Sequence, residues 1–492
     1  MSRSRLARGA LLGAAASLAI PAVASAQDQV DPQTAIPKLV SELNSTWIVV
    51  AAVLVMFMQA GFLFLEIGFS RGKNVGSGVA KIIANFSIAT LVWWAVGFGV
   101  AFGGAGWLAG DTGFFVQIGS NISQDSLIPG PFSGDGAAFM LFQFMFCAVS
   151  LAIVWGTTLE RIKFVAYVVF AIVFAAVIYP LIAHWGFGGG LFAKIGSGAQ
   201  DFAGSSVVHL TGATAALAAL LLLGPRKGKY GPDGRPRGIP GHSMPIFGLG
   251  VLILWLGWFG FNAGSTLGTD GSRFAEVAMV TQLGAAGGVV SASLLIWLLT
   301  KKLDVGMSGN GAIAGLVAIT APSGYVELWA APIIGLVAGV IVVVGVLAID
   351  KKLDDPVGAL SAHGLAGIWG TLACGLFTSK RLAETVGVGK AGLFQGGGFE
   401  QLGVQAAAVA ITFVTVLVLS LITFAAIKAV FGLRVSDEDE EAGLDIAEHG
   451  MYGYPEQFIP APELVGYVPS GTPPARQQTG VRGTATAKEI PA

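Results

Sequence analysis

Asp201-Phe202-Ala203-Gly204-Ser205-Ser206-Val207-Val208-His209 opens an apolar run that continues to Leu223, and Asp355-Pro356-Val357-Gly358-Ala359-Leu360-Ser361-Ala362-His363 opens another that continues to Phe377. Both read D-x-x-G-x-x-x-x-H. Each places a carboxylate and a glycine at the mouth of an apolar helix and a histidine about two turns inside it. An ionisable group at that depth is costly and points by default to a functional position. A single histidine there is often a core residue with one hydrogen-bond partner. Two, at matching places in matching motifs, suggest an internal repeat.

The rest of the chain shows which solvent these runs face. Of 492 residues, 54% are apolar and only 12% are charged, and the mean hydropathy is +0.73. So few charges cannot cover a soluble protein of this length. Apolar runs of roughly 20 residues, enough to cross ~30 Å of hydrocarbon, recur along the chain. The 71 glycines suit helices that pack backbone to backbone in lipid. The net charge of −1 comes with no basic patch interleaved with aromatics, so nothing points to nucleic acid. Cys147 and Cys374 both lie in apolar runs, and neither a disulfide framework, a metal site nor a cofactor is expected.

The first residues form a separate unit. Arg3, Arg5 and Arg8 precede an apolar stretch from Ala10 to Ile20, and Ala24-Ser25-Ala26 supplies a small-x-small cleavage site. This predicts a signal peptide over 1–26, too short in its apolar part to span, and a mature amino terminus outside the cell membrane. Eleven candidate spans follow, at 46–69, 82–104, 136–158, 164–184, 203–223, 244–266, 276–299, 308–326, 329–349, 357–377 and 404–430. With the first span entered from outside, fourteen Lys and Arg fall in inside joints and five in outside ones. That bias is the one expected of cytoplasmic loops. The expectation is an all-α polytopic protein of the inner membrane, with an eleven-helix transmembrane domain over 27–431 and a cytoplasmic tail over 432–492. The tail is polar, carries an acidic run from Asp437 to Glu441, and reads as partly disordered in its last thirty or so residues. A solvated tail and a regulatory segment both fit it.

In this topology the Asp201 motif opens the fifth span from outside and the Asp355 motif opens the tenth from inside. Gln59-Ala60-Gly61 on the first span is echoed by Asn262-Ala263-Gly264 on the sixth. Spans one to five and six to ten therefore read as an inverted 5+5 repeat about an in-plane pseudo-two-fold axis, with a final helix added. Such repeats put the transport site at the midplane between the halves. The axis would bring His209 and His363 together, each satisfying the other through an N–H···N bond. Desolvation disfavours the charged form, leaving a mostly neutral couple with a donor and an acceptor to spare. Ammonia, which both donates and accepts, suits such a pair.

Phe142 and Phe146 are four apart on one helix face, as are Phe261 and Ser265. Phenyl faces attract a desolvated cation by roughly 2 kcal/mol. Among 31 phenylalanines such a spacing is ordinarily core packing or lipid contact. The wider motifs change that balance. Gly257-Trp258-Phe259-Gly260-Phe261-Asn262-Ala263-Gly264-Ser265, the Asp201 segment, Asn310 to Thr320 and His363-Gly364-Leu365-Ala366-Gly367-Ile368-Trp369-Gly370 resemble the signature segments of the ammonium transporter (Amt/Mep/Rh) family. The resemblance covers about residues 44–458.

That resemblance implies a homotrimer with one pore per subunit. It implies an outer ammonium-recruitment site of Phe142, Phe146, Phe187 and Ser265, with Asp201 buried beneath it. Phe146 and Phe261 would form a gate, and His209 and His363 the twin-histidine centre. The family usually has Trp where Phe187 follows His184-Trp185-Gly186, so the outer site loses an indole N–H. Asp201 can equally cap the start of its helix. Glu66 and the Glu160-Arg161 pair read as structural, without a transport role. The segment Gly443 to Gly450 is similar to the tail of bacterial members that dock a PII-type signalling protein.

A bare ion in an apolar pore costs tens of kcal/mol by Born estimates. The expected mechanism is recruitment of ammonium outside, deprotonation near the gate, and passage of ammonia past the histidines. Two rivals remain: a sensor that binds ammonium with little flux, and a channel for a neutral gas, which would need no cation site. An enzyme is the least expected class, because no nucleophile–base pair, metal spacing or phosphate loop stands out.

Overall fold

The computed structural model describes residues 32–104, 106–116 and 135–455. The predicted signal peptide and the end of the tail lie outside the described residues. The described residues up to Gly453 form one compact unit; of the second, 454–492, only Tyr454 and Pro455 are described.

The described secondary structure is helical, with only the isolated bridges Ile162–Arg434 and Tyr230–Pro236 of β type. The long helices are α1 (Pro32–Phe69), α2 (75–102), α3 (Gly136–Thr157), α4 (164–186), α5 (Ser205–Leu223), α6 (Met244–Ala263), α7 (Arg273–Thr300), α8 (Val305–Thr320), α9 (Ala330–Ile349), α10 (Leu360–Phe377) and α11 (Glu400–Val430). Ten are long and apolar enough to cross a membrane; α8 is a shorter apolar helix. It stops at Thr320, short of the expected 326, because Ala321 N donates to Ser205 Oγ (2.7 Å) and Pro322 has no N–H to continue the ladder; a turn over Pro322–Gly324 follows.

Large apolar side chains face outward on many of these helices, Leu91 and Trp94 on α2, Leu221 on α5, Leu252 on α6 and Ile422 on α11 among them. A surface so greasy suits hydrocarbon rather than water. Inside, small residues let helices touch. A Cβ added at Gly335 of α9 would collide with the Gly284 carbonyl of α7, and one at Gly250 of α6 with the backbone of Leu65 on α1.

Packing partners recur along the chain. Helix α1 packs on α3 as α6 packs on α8; α3 packs on α5 as α8 packs on α10; α2 packs on α4 as α7 packs on α9. Helix α1 also lies along α6, and α11 braces α5 and α10.

One end of the bundle is tied by charge. Glu160 accepts from Arg71 N and Nε, both at 2.7 Å, and Asp354 accepts from Arg226 N (2.8 Å), Nε (2.9 Å) and Nη2 (2.9 Å). Arg161 donates to the carbonyls of Leu159, Gly224 and Asp354. Residues after α11 fold back onto this end. Lys73 donates to the carbonyls of Glu440 and Glu441, Asn74 Oδ1 accepts from Leu444 N (2.9 Å), and Asp445 Oδ1 accepts from Ser77 N (2.8 Å). Within the acidic run Glu440 is buried against Arg434, while its neighbours remain largely in solvent.

Candidate functional site

Both D-x-x-G-x-x-x-x-H motifs fold alike. Asp201 Oδ1 accepts from Gly204 N (2.9 Å) and Ser205 N (2.8 Å), and Oδ2 from Ser206 N (2.9 Å) and Val207 N (3.0 Å). Asp355 Oδ1 accepts from Val357 N (3.3 Å) and Gly358 N (3.1 Å), and Oδ2 from Leu360 N (2.8 Å). Each carboxylate thus collects the donors that a helix start leaves orphaned. The turn inside each cap needs positive φ, +117° at Gly204 and +75° at Gly358, which only glycine adopts without strain.

Each cap leads directly into a π-helical turn, Ser205–Leu210 in α5 and Leu360–Leu365 in α10, and each of these turns carries its histidine. A π turn widens the helix by one residue and changes where a side chain aims. The two turns touch, and His363 Nδ1 lies 3.2 Å from His209 Nδ1, with ring centroids 5.2 Å apart and planes 22° from parallel. In such a contact one ring donates and the other accepts, so both Nε2 atoms are left for other work. His209 Nε2 is buried and has no hydrogen-bond partner among the described residues.

The rings beyond the pair form a file. Trp258 stacks on His209 at 5.2 Å and 18°, and Phe261, on a third π turn at Phe259–Ala263, sits 5.4 Å from the same imidazole. Phe146 meets Phe261 edge to face at 4.2 Å, and Phe142 meets Phe146 the same way at 4.7 Å. Phe187 tilts toward Phe146 at 6.3 Å. On the far side of the histidines Phe62 lies 6.0 Å from His363.

Phe142, Phe146 and Phe261 are fully buried, while Phe187 is half-buried. The dipeptide before it anchors the chain. His184 bonds the carbonyls of Ala101 (2.9 Å) and Gly106 (2.6 Å), and Trp185 Nε1 donates to Leu108 O (2.8 Å). Ser265 is half-buried, donates to Phe261 O (2.8 Å), and opens onto a cavity of ≈ 300 Å³ that it shares with Asn44, Phe202, Asp270 and Arg273. The residue before it, Gly264, packs so closely on Phe142 that a Cβ there would lie 2.8 Å from Cε2 of the ring.

Phe142, Phe146, Phe187, Phe261, His209 and His363 are therefore contiguous, with Ser265 linked through Phe261 and Gly264, and Asp201 capping the helix that carries His209. Trp258 and Phe62 belong to the file as well. Nothing in the spacing of either points to a histidine partner, because those contacts cross between helices. No cluster of three His, Cys, Asp or Glu able to hold a metal occurs among the described residues.

Residues 46–454 match the profile of the Ammonium Transporter Family. The chain is 44% identical to the ammonium transporter Amt2 of Archaeoglobus fulgidus over 436 residues, covering 86% of this chain and 90% of that relative. It is 33% identical to the ammonium transporter of Bacillus subtilis, over 83% of this chain and 97% of that one. Among solved structures, a protein described as a sensor Amt protein aligns with a TM-score of 0.76 at 35% identity, covering 84% of this chain and all but 1% of that one (99% covered). Mep2 of Candida albicans aligns with a TM-score of 0.74 at 29% identity, covering 84% and 90%.

Proposed function

This chain belongs to the ammonium transporter family, a family of transporters rather than enzymes, and on that premise we propose that it moves ammonium by recruiting the ion, removing a proton and conducting ammonia past His209 and His363. The observation that carries the reading is the Nδ1···Nδ1 contact of 3.2 Å between the two histidines at the end of an unbroken file of aromatic rings.

Phe142, Phe146, Phe187 and Ser265 form the recruitment site in this reading. Ring faces hold the cation electrostatically and the serine hydroxyl accepts one of its N–H groups. Asp201 lies beneath, its charge shared with four backbone N–H groups. The Phe146–Phe261 pair, edge to face at 4.2 Å, is the gate. A hydrated ion cannot pass so close a ring pair, and an unhydrated one would lose far more solvation than two rings return. Ammonia escapes that cost. Beyond the gate the histidine couple supplies a donor and an acceptor in turn. Potassium, without a proton to give, is rejected.

The matched caps, matched π turns and recurring packing partners support an inverted repeat of α1–α5 and α6–α10, with α8 counted as a span and eleven in all. The same reading includes a homotrimer, a cleaved signal peptide, an outside amino terminus and a cytoplasmic tail. In this reading the segment Leu444–His449, held by Asn74 and Ser77, is the part of the tail that a PII-type signalling protein engages.

The test is methylammonium uptake and ammonium-evoked current in proteoliposomes, with wild type beside His209→Ala and His363→Ala variants that still fold. Flux that falls or loses selectivity in the variants is the expected result. A second reading, an ammonium sensor, is favoured by the likeness to a sensor Amt protein. Measurable ammonium binding with no flux from a well-folded wild type would decide for it.

A further inference from the structure

A small cavity of ≈ 10 Å³ lies on the side of His363 away from the gate, walled by Phe62, Leu65, Glu66, Ile153, Asn310 and His363 among others. That is room for one molecule the size of water or ammonia. Phe62 and Glu66 stand four apart on α1 and share a face. Phe62 touches the His363 ring, so Glu66 follows it by one turn along the same path.

Glu66 is only 1% exposed, and its Oε2 has no hydrogen-bond partner. Among the described residues it is the one buried carboxylate oxygen in that condition. Other buried carboxylates are fully engaged: Asp201 and Asp355 by backbone N–H groups, Glu160 by Arg71, Asp354 by Arg226, and Asp445 by Ser77 N and Gly453 N. Lys81 on α2 is buried within electrostatic range of Glu66, but its ammonium donates to Ser77 Oγ at 3.2 Å. An acceptor left open in a buried site is costly and calls for a ligand.

We propose that Glu66 is a further binding residue of the transport path: its carboxyl oxygen accepts an N–H bond from ammonia that has passed His363, holding the molecule in this cavity before release. The inference rests on the proposed ammonia path. It adds an acceptor where the histidine pair ends, beside Asn310 and among otherwise largely apolar walls.

Glu66→Gln keeps the shape and weakens the acceptor. Uptake of methylammonium at low concentration should fall about ten-fold with KM raised, the loss expected for one hydrogen bond to a buried acceptor, while the melting temperature in detergent stays near wild type. In wild type, adding ammonium should shift an infrared carboxyl band that E66Q lacks. Should E66Q fail to fold with Lys81 left unbalanced, the charge-balanced pair E66Q/K81Q takes its place. Unchanged KM and uptake in the variant, or no ammonium-dependent carboxyl shift in wild type, overturns the inference. If wild type carries no flux, the transport reading fails by itself, and the infrared shift alone decides whether Glu66 binds ammonia.

Discussion

His209 and His363 meet through their Nδ1 atoms at 3.2 Å, so the two rings must hold opposite tautomers at that edge. Each satisfies the other, and neither has a second route to a partner through Nδ1. Removing either strands the other in a buried site. The double-mutant cycle of His209→Ala and His363→Ala should therefore show coupling of about 0.5–2 kcal/mol, within the range of polar pairs inside membrane bundles. Thermal denaturation in detergent measures it. Additive losses would mean that the pair does not bond.

Phe187 offers its ring to the outer site from 6.3 Å beyond Phe146 and is half-buried, so its face can be replaced without rebuilding the core. Phe187→Trp adds an indole N–H and a stronger cation attraction, a gain of about 0.5–1 kcal/mol. The apparent KM for ammonium should fall about two- to five-fold with the maximal rate little changed. Concentration-dependent uptake tests this. An unaltered KM would place ion capture elsewhere.

Gly264 lies against Phe142, with a would-be Cβ 2.8 Å from Cε2. The ring cannot retreat freely, because its other side is packed edge to face on Phe146. Gly264→Ala should cost about 1–3 kcal/mol as overpacking and displace Phe142 from the file. Uptake should drop several-fold although no titratable group has changed. Normal uptake at normal stability would show that Phe142 is not held in one place by its neighbours.

Much of this site is legible in the chain, and the reasons are local. The Asp201 and Asp355 motifs announce a cap, a glycine of positive φ and a histidine by position alone. The i, i+4 spacing of Phe142 and Phe146 fixes their shared face. What stays hidden is tertiary. The stack of Trp258 on His209 joins α6 to α5, and the contact of Phe62 with His363 joins α1 to α10. Apolar helices also conceal their own irregularities: five π turns occur among the described residues, and a run that is hydrophobic all round carries no period to shift. Glu66 is hidden for a different reason: a buried carboxylate normally finds a partner, and nothing in the chain marks that Oε2 has none.

The Arg226–Asp354 pair makes a prediction about acid. Burial works to raise the Asp354 carboxyl, but hydrogen bonds from Arg226 and the charges of Arg161 and Arg226 outweigh it and hold the group at about 2, against an ordinary 3.8. The unfolded chain therefore takes up this proton before the folded one as pH falls. The stabilisation, on the order of 2 kcal/mol, is fully present above about pH 4 and is lost between about pH 4 and pH 2. Melting temperature in detergent should fall across that window. Arg226→Met leaves Asp354 with Arg161 at 3.9 Å and removes a charge 3.7 Å from Glu160. It should cost about 3–5 kcal/mol at neutral pH, because a buried carboxylate loses its main partner. The variant's remaining loss in acid should be shallower and end at higher pH, since its folded Asp354 protonates closer to the unfolded value. A variant that melts like wild type at pH 7 and at pH 3 would mean that Arg161 alone satisfies Asp354, and that the end of the bundle is held by the joint after α3 rather than by the joint after α5.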